Sequence, residues 1–506
     1  MEFTNVDGLF DNEVKAHENN VYDFVQFFLK VLALEKSLAM AKLPESQDQD
    51  PAVWYNKMSL EEFTNMTGNV LNYTDYLNEL AVLYKLPYRF NDTDLVIVRD
   101  IGYYKQLSKI LTETPPLTLH NYLGYQLARY WSLFTDNSFW DYYLEQTVPE
   151  EPFWKNCLER VDRWVASHLY VRQKVLPVTK EKAEEIVEEL QEVFVEEVLK
   201  KDVNWLDEQT RRKALEKAAQ TYFHVAYPDW LLNGNELDRI AFHYPPVELP
   251  RVVEGHYFES SLEVTRMGNA AAAAFRKLHQ PINVAQDFPA EPFDVNGYAY
   301  HKKNVVVILA GLLQPPKFDP TVPAYVTLGG LGSFTGHEIT HHFDEVGALY
   351  DLNGNLANWF SPTTKERFES KLQCFVEQYE AIVDQQTGVR LNGSLTLGEN
   401  IADNGGLRMA FRALEKRLKR DIDRKERLKL PQMEKFTPQQ IFFISYAHLW
   451  FEHYLTEAKK DAIYHKVHLP GEYRINVPLS NFEPFSAAFQ CPLGSKMNPK
   501  KKCRLW

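Results

Sequence analysis

Residues 337–341 read His-Glu-Ile-Thr-His, followed by His342, Phe343 and Asp344. On a helix, His337 and His341 are four residues apart, so both imidazoles leave the same face. Two neutral ring nitrogens at that spacing suit one Zn²⁺, with Glu338 beside the metal as candidate general base. His342 lies about 100° further round and points away from that face. The pentapeptide also arises by chance, so its meaning depends on a third donor further along the chain.

A catalytic zinc takes a third protein ligand and keeps one position open. Residues 398–406 read Gly-Glu-Asn-Ile-Ala-Asp-Asn-Gly-Gly. Glu399 and Asp403 are again four apart, which puts two carboxylates on one helical face. One can ligate the metal, and the other can accept from the far nitrogen of a ligating histidine, fixing its tautomer. A competing, purely local reading exists: Thr396-Leu-Gly-Glu399 fits a capping box, in which Glu399 only closes a helix start.

With these blocks in place the chain resembles the neprilysin family of zinc metallopeptidases, whose metal chemistry is similar to that of thermolysin. Further matching stretches are Leu313-Gln-Pro-Pro316, His468-Leu-Pro-Gly-Glu-Tyr-Arg474, the closing Cys503-Arg-Leu-Trp506 and an upstream Tyr55-Asn-Lys-Met58. The resemblance implies a mainly α (α+β) chain: a thermolysin-like zinc catalytic domain with a small edge sheet, roofed by a mostly helical second domain. It implies His337, His341 and Glu399 as ligands of one zinc per chain, Glu338 as general base, and Asp403 as the partner of a ligating histidine. Asp344, three residues after His341, is a candidate for the same task at the other histidine, against a structural ion-pair role. His468 corresponds to the histidine that stabilises the oxyanion, Arg474 to the arginine that binds a substrate carbonyl, and Asn296 to the asparagine that holds the substrate backbone. Gly297 stands where the family usually carries alanine.

In the substrate side-chain pocket, Leu312, Leu449 and Trp450 keep an apolar lining. Lys317 and Ser333 replace a large aromatic and a methionine, and Phe334 replaces a smaller residue. The family's preference for a large apolar residue just after the cleaved bond is therefore in question. Lys317 has two options: its ammonium faces the pocket and favours acidic side chains, or it snorkels outward and leaves only its aliphatic stem. A buried, unpaired ammonium is costly, which favours snorkelling.

Bulk properties bound the rest. The chain has 506 residues, 45% of them apolar and 13% aromatic, enough for two large cores. Its net charge of −13 (56 basic against 69 acidic residues) argues against nucleic acid as a partner. No run of about 18 apolar residues exists, so no membrane span is expected, and Met1-Glu-Phe-Thr-Asn does not open a signal peptide. By resemblance, a cytosolic tail, a membrane anchor and the first part of an ectodomain would precede this stretch. Asn65-Met-Thr, Asn72-Tyr-Thr, Asn91-Asp-Thr and Asn392-Gly-Ser are glycosylation patterns that point to the secretory pathway and an extracellular or cell-surface location. Of Cys157, Cys374, Cys491 and Cys503, the resemblance implies a disulfide between Cys374 and Cys503. Cys157 and Cys491 would pair with cysteines of the missing start, against the alternative that all four are buried thiols.

Along the chain, residues 1–230 read as a helical domain, 231–289 as connecting segments and 290–506 as the catalytic domain. Glu181–Lys201 carries Ile186, Leu190, Val193, Phe194 and Val198 at a helical period. Arg211, Arg212 and Lys213 read as a solvated face. Stretches 101–111 and 121–147 read as core helices whose aromatic stripe serves packing. Ala270–Ala274 reads as a helix. Tyr298–Ala310 contains the best strand, centred on Val305–Leu309, and is similar to the family's substrate-binding edge strand. Gly329, Gly330, Gly332 and Gly336 allow close packing of the zinc helix. Expected partners are short peptides. The competing readings are a catalytically silent relative and an exopeptidase; Glu338 and all three ligands are present, and no residues specific for a free terminus stand out.

Overall fold

The structure, a computed structural model, describes residues 21–43, 51–84, 86–132, 134–135, 138–139, 154, 163–234, 256–267, 283–420 and 429–506. The expected helix at Ala270–Ala274 and the position of Cys157 lie outside these residues, as does the end of 121–147. The described residues fall into two units: those within Met1–Glu159 and Phe242–Gln280, and those within Arg160–Ala241 and Pro281–Trp506.

The first unit is helical, with Val21–Met40, Tyr73–Leu83, Ile101–Glu113 and Pro116–Ser132 as its longer helices. Asn72 and Asp100 cap two of them by accepting from Asp75 N and Tyr103 N. Two short strands, β1 (Asn56–Ser59) and β2 (Leu95–Val98), pair antiparallel with Asn56 opposite Val98. Four residues each, they were not legible as strands beside the helical signal. Leu60, Phe63, Tyr73 and Val98 form the core there, with Tyr104 packed edge-on to Phe63. The aromatic stripe of 101–111 thus packs a core.

The second unit holds every residue of the HExxH and GENIADNGG blocks. Helix α1 (Pro177–Val193) starts on a proline at its first turn and continues through a wider-wound stretch, Phe194–Asp202. Ile186, Leu190, Val193, Phe194 and Val198 are all buried, as their helical period implies. Helix α2 (Glu208–Ala219) is capped by Asp207, whose carboxylate accepts from Gln209 N and Thr210 N. A three-stranded sheet follows: β3 (Tyr222–Ala226), β4 (Gly297–Tyr300) and β5 (Val305–Leu309), in the order β3-β5-β4. β3 runs parallel to β5 with Tyr222 opposite Val305, and β4 runs antiparallel with Tyr300 opposite Val305.

The described residues 163–230 cluster with the second unit, in which β3 is a strand of the β5 sheet and α1 packs on the helices of the HExxH and GENIADNGG blocks. Residues 257–267 return to the first unit, where Phe258 packs on Trp131. Within Tyr298–Ala310 the expected strand Val305–Leu309 is present as β5, and β4 precedes it across a turn. Asn304 adopts a left-handed φ of 51° between β4 and β5. All five residues of β5 are buried as the central strand, which leaves β4 and β3 as the two edges.

Beyond the sheet, Ala324–Thr327 and the wider-wound Leu328–Gly332 lead straight into α3 (Ser333–His341). Then come α4 (Pro362–Glu380), α5 (Leu397–Lys419), α6 (Pro438–Leu449) and α7 (Gly471–Ser480). α3 and α5 cross with their backbones in contact. A Cβ built on Gly336 would lie 2.9 Å from Gly406 Cα, and one on Gly406 would lie 2.4 Å from Ser333 O and 2.5 Å from His337 N. Glycine in a helix interior costs about 1 kcal/mol against alanine, and here it is what lets the helices meet.

The chain end closes the unit from behind. Cys374 on α4 and Cys503 form a disulfide, Trp506 Nε1 donates to Phe343 O at 3.1 Å, and Trp205 Nε1 donates to Leu505 O at 3.1 Å. The pairing implied by resemblance is therefore present. Cys491 is free.

Gly406→Ala should destabilise the second unit by about 1–3 kcal/mol through overpacking and weaken zinc binding at least about tenfold by moving α3 off α5. Gly124→Ala, a helix position with nothing within 4 Å of the added carbon, is the control and should be neutral or stabilising. Denaturant unfolding and a zinc competition titration measure both effects. Equal behaviour of the two variants would refute the close-crossing account.

Candidate metal centre

The crossing of α3 and α5 sets one face of each helix against the other. His337 and His341 face Glu399 and Asp403, each pair one helical turn apart. His337 Nε2 and His341 Nε2 lie 2.9 Å apart. Glu399 Oε2 is 3.3 Å from His337 Nε2, and its Oε1 is 3.6 Å from His341 Nε2. One donor atom from each of the three residues lies within 4.8 Å of the other two.

The far nitrogens are held as well. His337 Nδ1 is 2.9 Å from Asp403 Oδ1, and His341 Nδ1 is 2.7 Å from Asp344 Oδ2. A carboxylate only accepts, so each Nδ1 is placed to donate outward while each Nε2 faces inward. Glu399 and the two inward nitrogens surround one point, where a proton on His341 or a metal cation offsets the negative charge. Two imidazoles and one carboxylate are a catalytic-zinc donor set, so these residues fit that ion.

The charges tell the same story. Burial would lower His341, yet Glu399 and Asp344 outweigh it and hold its pKa up at about 10. Burial would raise Glu399, yet His341, His337 and His468 keep it well below the usual carboxylate range. The negative charge at this spot draws in positive charge. Glu338, 5% exposed, is raised by burial, with His337 and His341 pulling the other way. A carboxyl raised in this manner is suited to accept and pass on a proton. The capping-box reading of Glu399 does not hold: Thr396 makes no side-chain cap at α5. Its hydroxyl donates to Asn392 O and accepts from Asn400 Nδ2.

Arg474 on α7 is forked onto Asp403, with Nε and an Nη both 2.8 Å from its oxygens. Its Cζ also lies 3.6 Å from the Trp450 ring centre. Asp403 thus holds two groups, His337 and Arg474, of which the motif spacing suggested only the first. His468, on the exposed loop before α7, places Nε2 3.2 Å from Glu399 Oε2. Phe334 lies nearly parallel to the His337 ring at 6.2 Å, and Trp450 stands 6.4 Å from Phe334. Leu312, after β5, and Leu449, at the end of α6, are buried. Asn296 sits exposed at the head of edge strand β4, its side-chain oxygen accepting from Gly297 N. His342 is fully buried and faces His301, away from the cluster.

One residue escaped the sequence reading. Lys217 on α2 is 1% exposed, and its ammonium donates to His342 O, Gly347 O and Tyr350 O, each at 2.7 Å. It closes the C-terminal end of α3, where a cation is favoured, and pins the loop that carries Asp344. That loop in turn donates from Val346 N and Gly347 N to Asp344. The signal was available: Lys217 falls on the face of Ala214 and Ala218, whose small side chains leave room for it. Arg211 likewise is not on a solvated face but donates to Leu206 O.

Two profiles described as Peptidase family M13 match the chain, over residues 16–228 and 296–505. The second interval includes every candidate site residue named above from Asn296 onward. The chain is 31% identical to "Neprilysin-3" of Drosophila melanogaster over 98% of its own length and 65% of that protein. It is 32% identical to "Endothelin-converting enzyme 1" of Rattus norvegicus over 94% of its length and 61% of that protein. It therefore spans somewhat less than two thirds of these relatives. Among solved structures it superposes on PepO of Lactobacillus rhamnosis with a TM-score of 0.76 at 24% identity, covering 96% of this chain and 72% of that one. The Mycobacterium tuberculosis zinc metalloprotease Zmp1 in complex with inhibitor gives 0.75 at 23% identity, with the same coverage. These likenesses show the fold.

Asp403→Ala should weaken zinc binding about 10–100-fold without abolishing it. Lys217→Met, which keeps the length and removes all three donors, should act in the same direction by loosening Asp344. A zinc competition titration of each variant checks this. Wild-type affinity in both would mean that neither positions a ligand.

Proposed function

The chain belongs to peptidase family M13, and from that premise we propose that it is a zinc endopeptidase hydrolysing short peptides. The observation that carries this reading is the inward convergence of His337, His341 and Glu399 with Glu338 buried beside them. These three residues hold one zinc per chain, which when bound supplies a Lewis acid that polarises the scissile carbonyl and acidifies water.

The protein's own groups do the rest. Glu338 takes the proton of the attacking water and delivers it to the leaving amine. Asp403 and Asp344 keep both imidazoles in the tautomer that points Nε2 inward. His468 donates to the carbonyl oxygen as negative charge develops there, a contribution on the order of 3 kcal/mol. Arg474, held rigid by Asp403 and Trp450, binds a substrate carbonyl. An extended peptide adds to the free edge of β4 with Asn296 and Gly297 at its head, and Leu312, Phe334, Leu449, Trp450 and Lys317 line the side-chain pocket.

The location that fits this reading is extracellular or at the cell surface. In support, Cys374 and Cys503 are oxidised, and the four glycosylation-pattern residues Asn65, Asn72, Asn91 and Asn392 are all exposed. Among the described residues no helix is long and apolar enough to cross a membrane.

Glu338→Gln should retain one zinc per chain and lose nearly all turnover of a quenched peptide, whereas Glu399→Val should lose zinc affinity itself. Metal analysis and a hydrolysis assay on the same preparations separate the two. Hydrolysis by Glu338→Gln would remove the proposed base, and stoichiometric zinc on Glu399→Val would place the third ligand elsewhere.

A further inference from the structure

Lys317 lies in the turn after β5, and its backbone is fixed at both ends. Its N–H donates to Gln314 O at 3.0 Å, and its carbonyl accepts from Leu331 N at 2.9 Å, in the helical run that leads into α3. A Cβ on Gly330 would lie 2.4 Å from that carbonyl oxygen, so turn and helix are packed backbone to backbone. The direction of the side chain is the informative part. Nζ lies 5.6 Å from the centre of the Phe334 ring, and Phe334 is the neighbour of His337 and Trp450. The ammonium therefore sits one ring away from a metal-ligand imidazole, half-buried, rather than snorkelling into solvent.

Among the described residues the ammonium meets the Phe334 ring but no anion: Lys317 Nζ has no hydrogen bond and no carboxylate within ion-pair distance. The nearby polar side chains are committed elsewhere: Ser333 donates to Leu328 O, and Arg474 is bound to Asp403 and Glu399. Burial and the neighbouring Arg474 both push the Lys317 pKa down, as expected for a cation without a counter-ion. The space beside it is also narrow. Phe334 Cε1 lies 2.6 Å from where a Cβ on Gly297 would stand, so the ring occupies room next to the edge strand that only glycine leaves open.

We propose that Lys317 is a specificity-determining residue that selects substrates with an acidic side chain immediately after the scissile bond. The inference rests on the peptidase reading above. A glutamate or aspartate entering beside Phe334 supplies the counter-ion that the protein withholds, and charge-assisted donation from Nζ fixes its carboxylate. A basic side chain meets Lys317 and Arg474 together and is disfavoured.

The test uses one peptide frame with Glu, Gln, Leu or Lys at that position. Turnover is measured on the zinc-loaded chain and on Lys317→Met. Binding of the same peptides is measured on Glu338→Gln and on Glu338→Gln/Lys317→Met, where no turnover is needed. The Glu-to-Gln ratio of kcat/KM, and the matching ratio of affinities, should each fall about fivefold when Lys317 is replaced. Raised salt should shrink the wild-type ratio. Cleavage with the same ratio in both proteins overturns the inference and leaves the peptidase reading standing. A Lys317-dependent affinity ratio without cleavage by the wild type keeps Lys317 as the anchor for an acidic side chain of a bound peptide but sinks the peptidase reading, and with it the placement after a scissile bond.

Discussion

Everything at the candidate centre depends on how closely α3 and α5 approach. Two helices with ordinary side chains at their crossing stay 8–10 Å apart, and a closer crossing changes which side chains meet. Here the crossing point is Gly336 against Gly406, with Gly405 against Thr340, and the backbones touch. That contact converts two separate sequence patterns into one object. A pair of histidines one turn apart meets a pair of carboxylates one turn apart, and each imidazole ends up between two acids. The helical cost of the glycines is offset only by what the contact makes possible, so these positions belong to the site as much as the ligands do.

Around that contact the charges are layered, and each layer is held by the next. Glu399 faces the inward nitrogens; Asp403 and Asp344 hold the outward ones. Asp403 is braced by the Arg474 fork, which lies on Trp450. Asp344 is braced by its own loop and, through that loop, by the buried Lys217 ammonium. Behind Lys217 lie Phe343 and Trp359, and behind Phe343 lies the closing Trp506, tied back by the disulfide on α4. A run of buried residues thus connects the chain's last residue to the orientation of His341.

Legibility in the sequence tracks the range of each interaction. Spacings of three and four residues report helical faces, so His337, His341, Glu399 and Asp403 can be read as pairs from spacing alone. Glycines near the motif announce close packing but not which partner they touch. Non-local facts are hidden. β3 becomes legible as a strand only when β5 is placed beside it. Lys217 looks like one more surface lysine, because three backbone carbonyls from another segment leave no mark in sequence. The double duty of Asp403 is hidden for the same reason. The orientation of Lys317 is a choice between desolvation cost and snorkelling, and the Phe334 ring that its ammonium meets comes from another segment.

The central claim is that two imidazoles and one carboxylate converge to bind zinc. X-ray absorption at the zinc edge of the purified, zinc-loaded chain tests it most directly. The account predicts a sulfur-free first shell, with two imidazole nitrogens at about 2.0–2.1 Å and carboxylate oxygen at about 2.0–2.2 Å. A sulfur scatterer near 2.3 Å, as free Cys491 would supply, or a shell with a single imidazole, would contradict it.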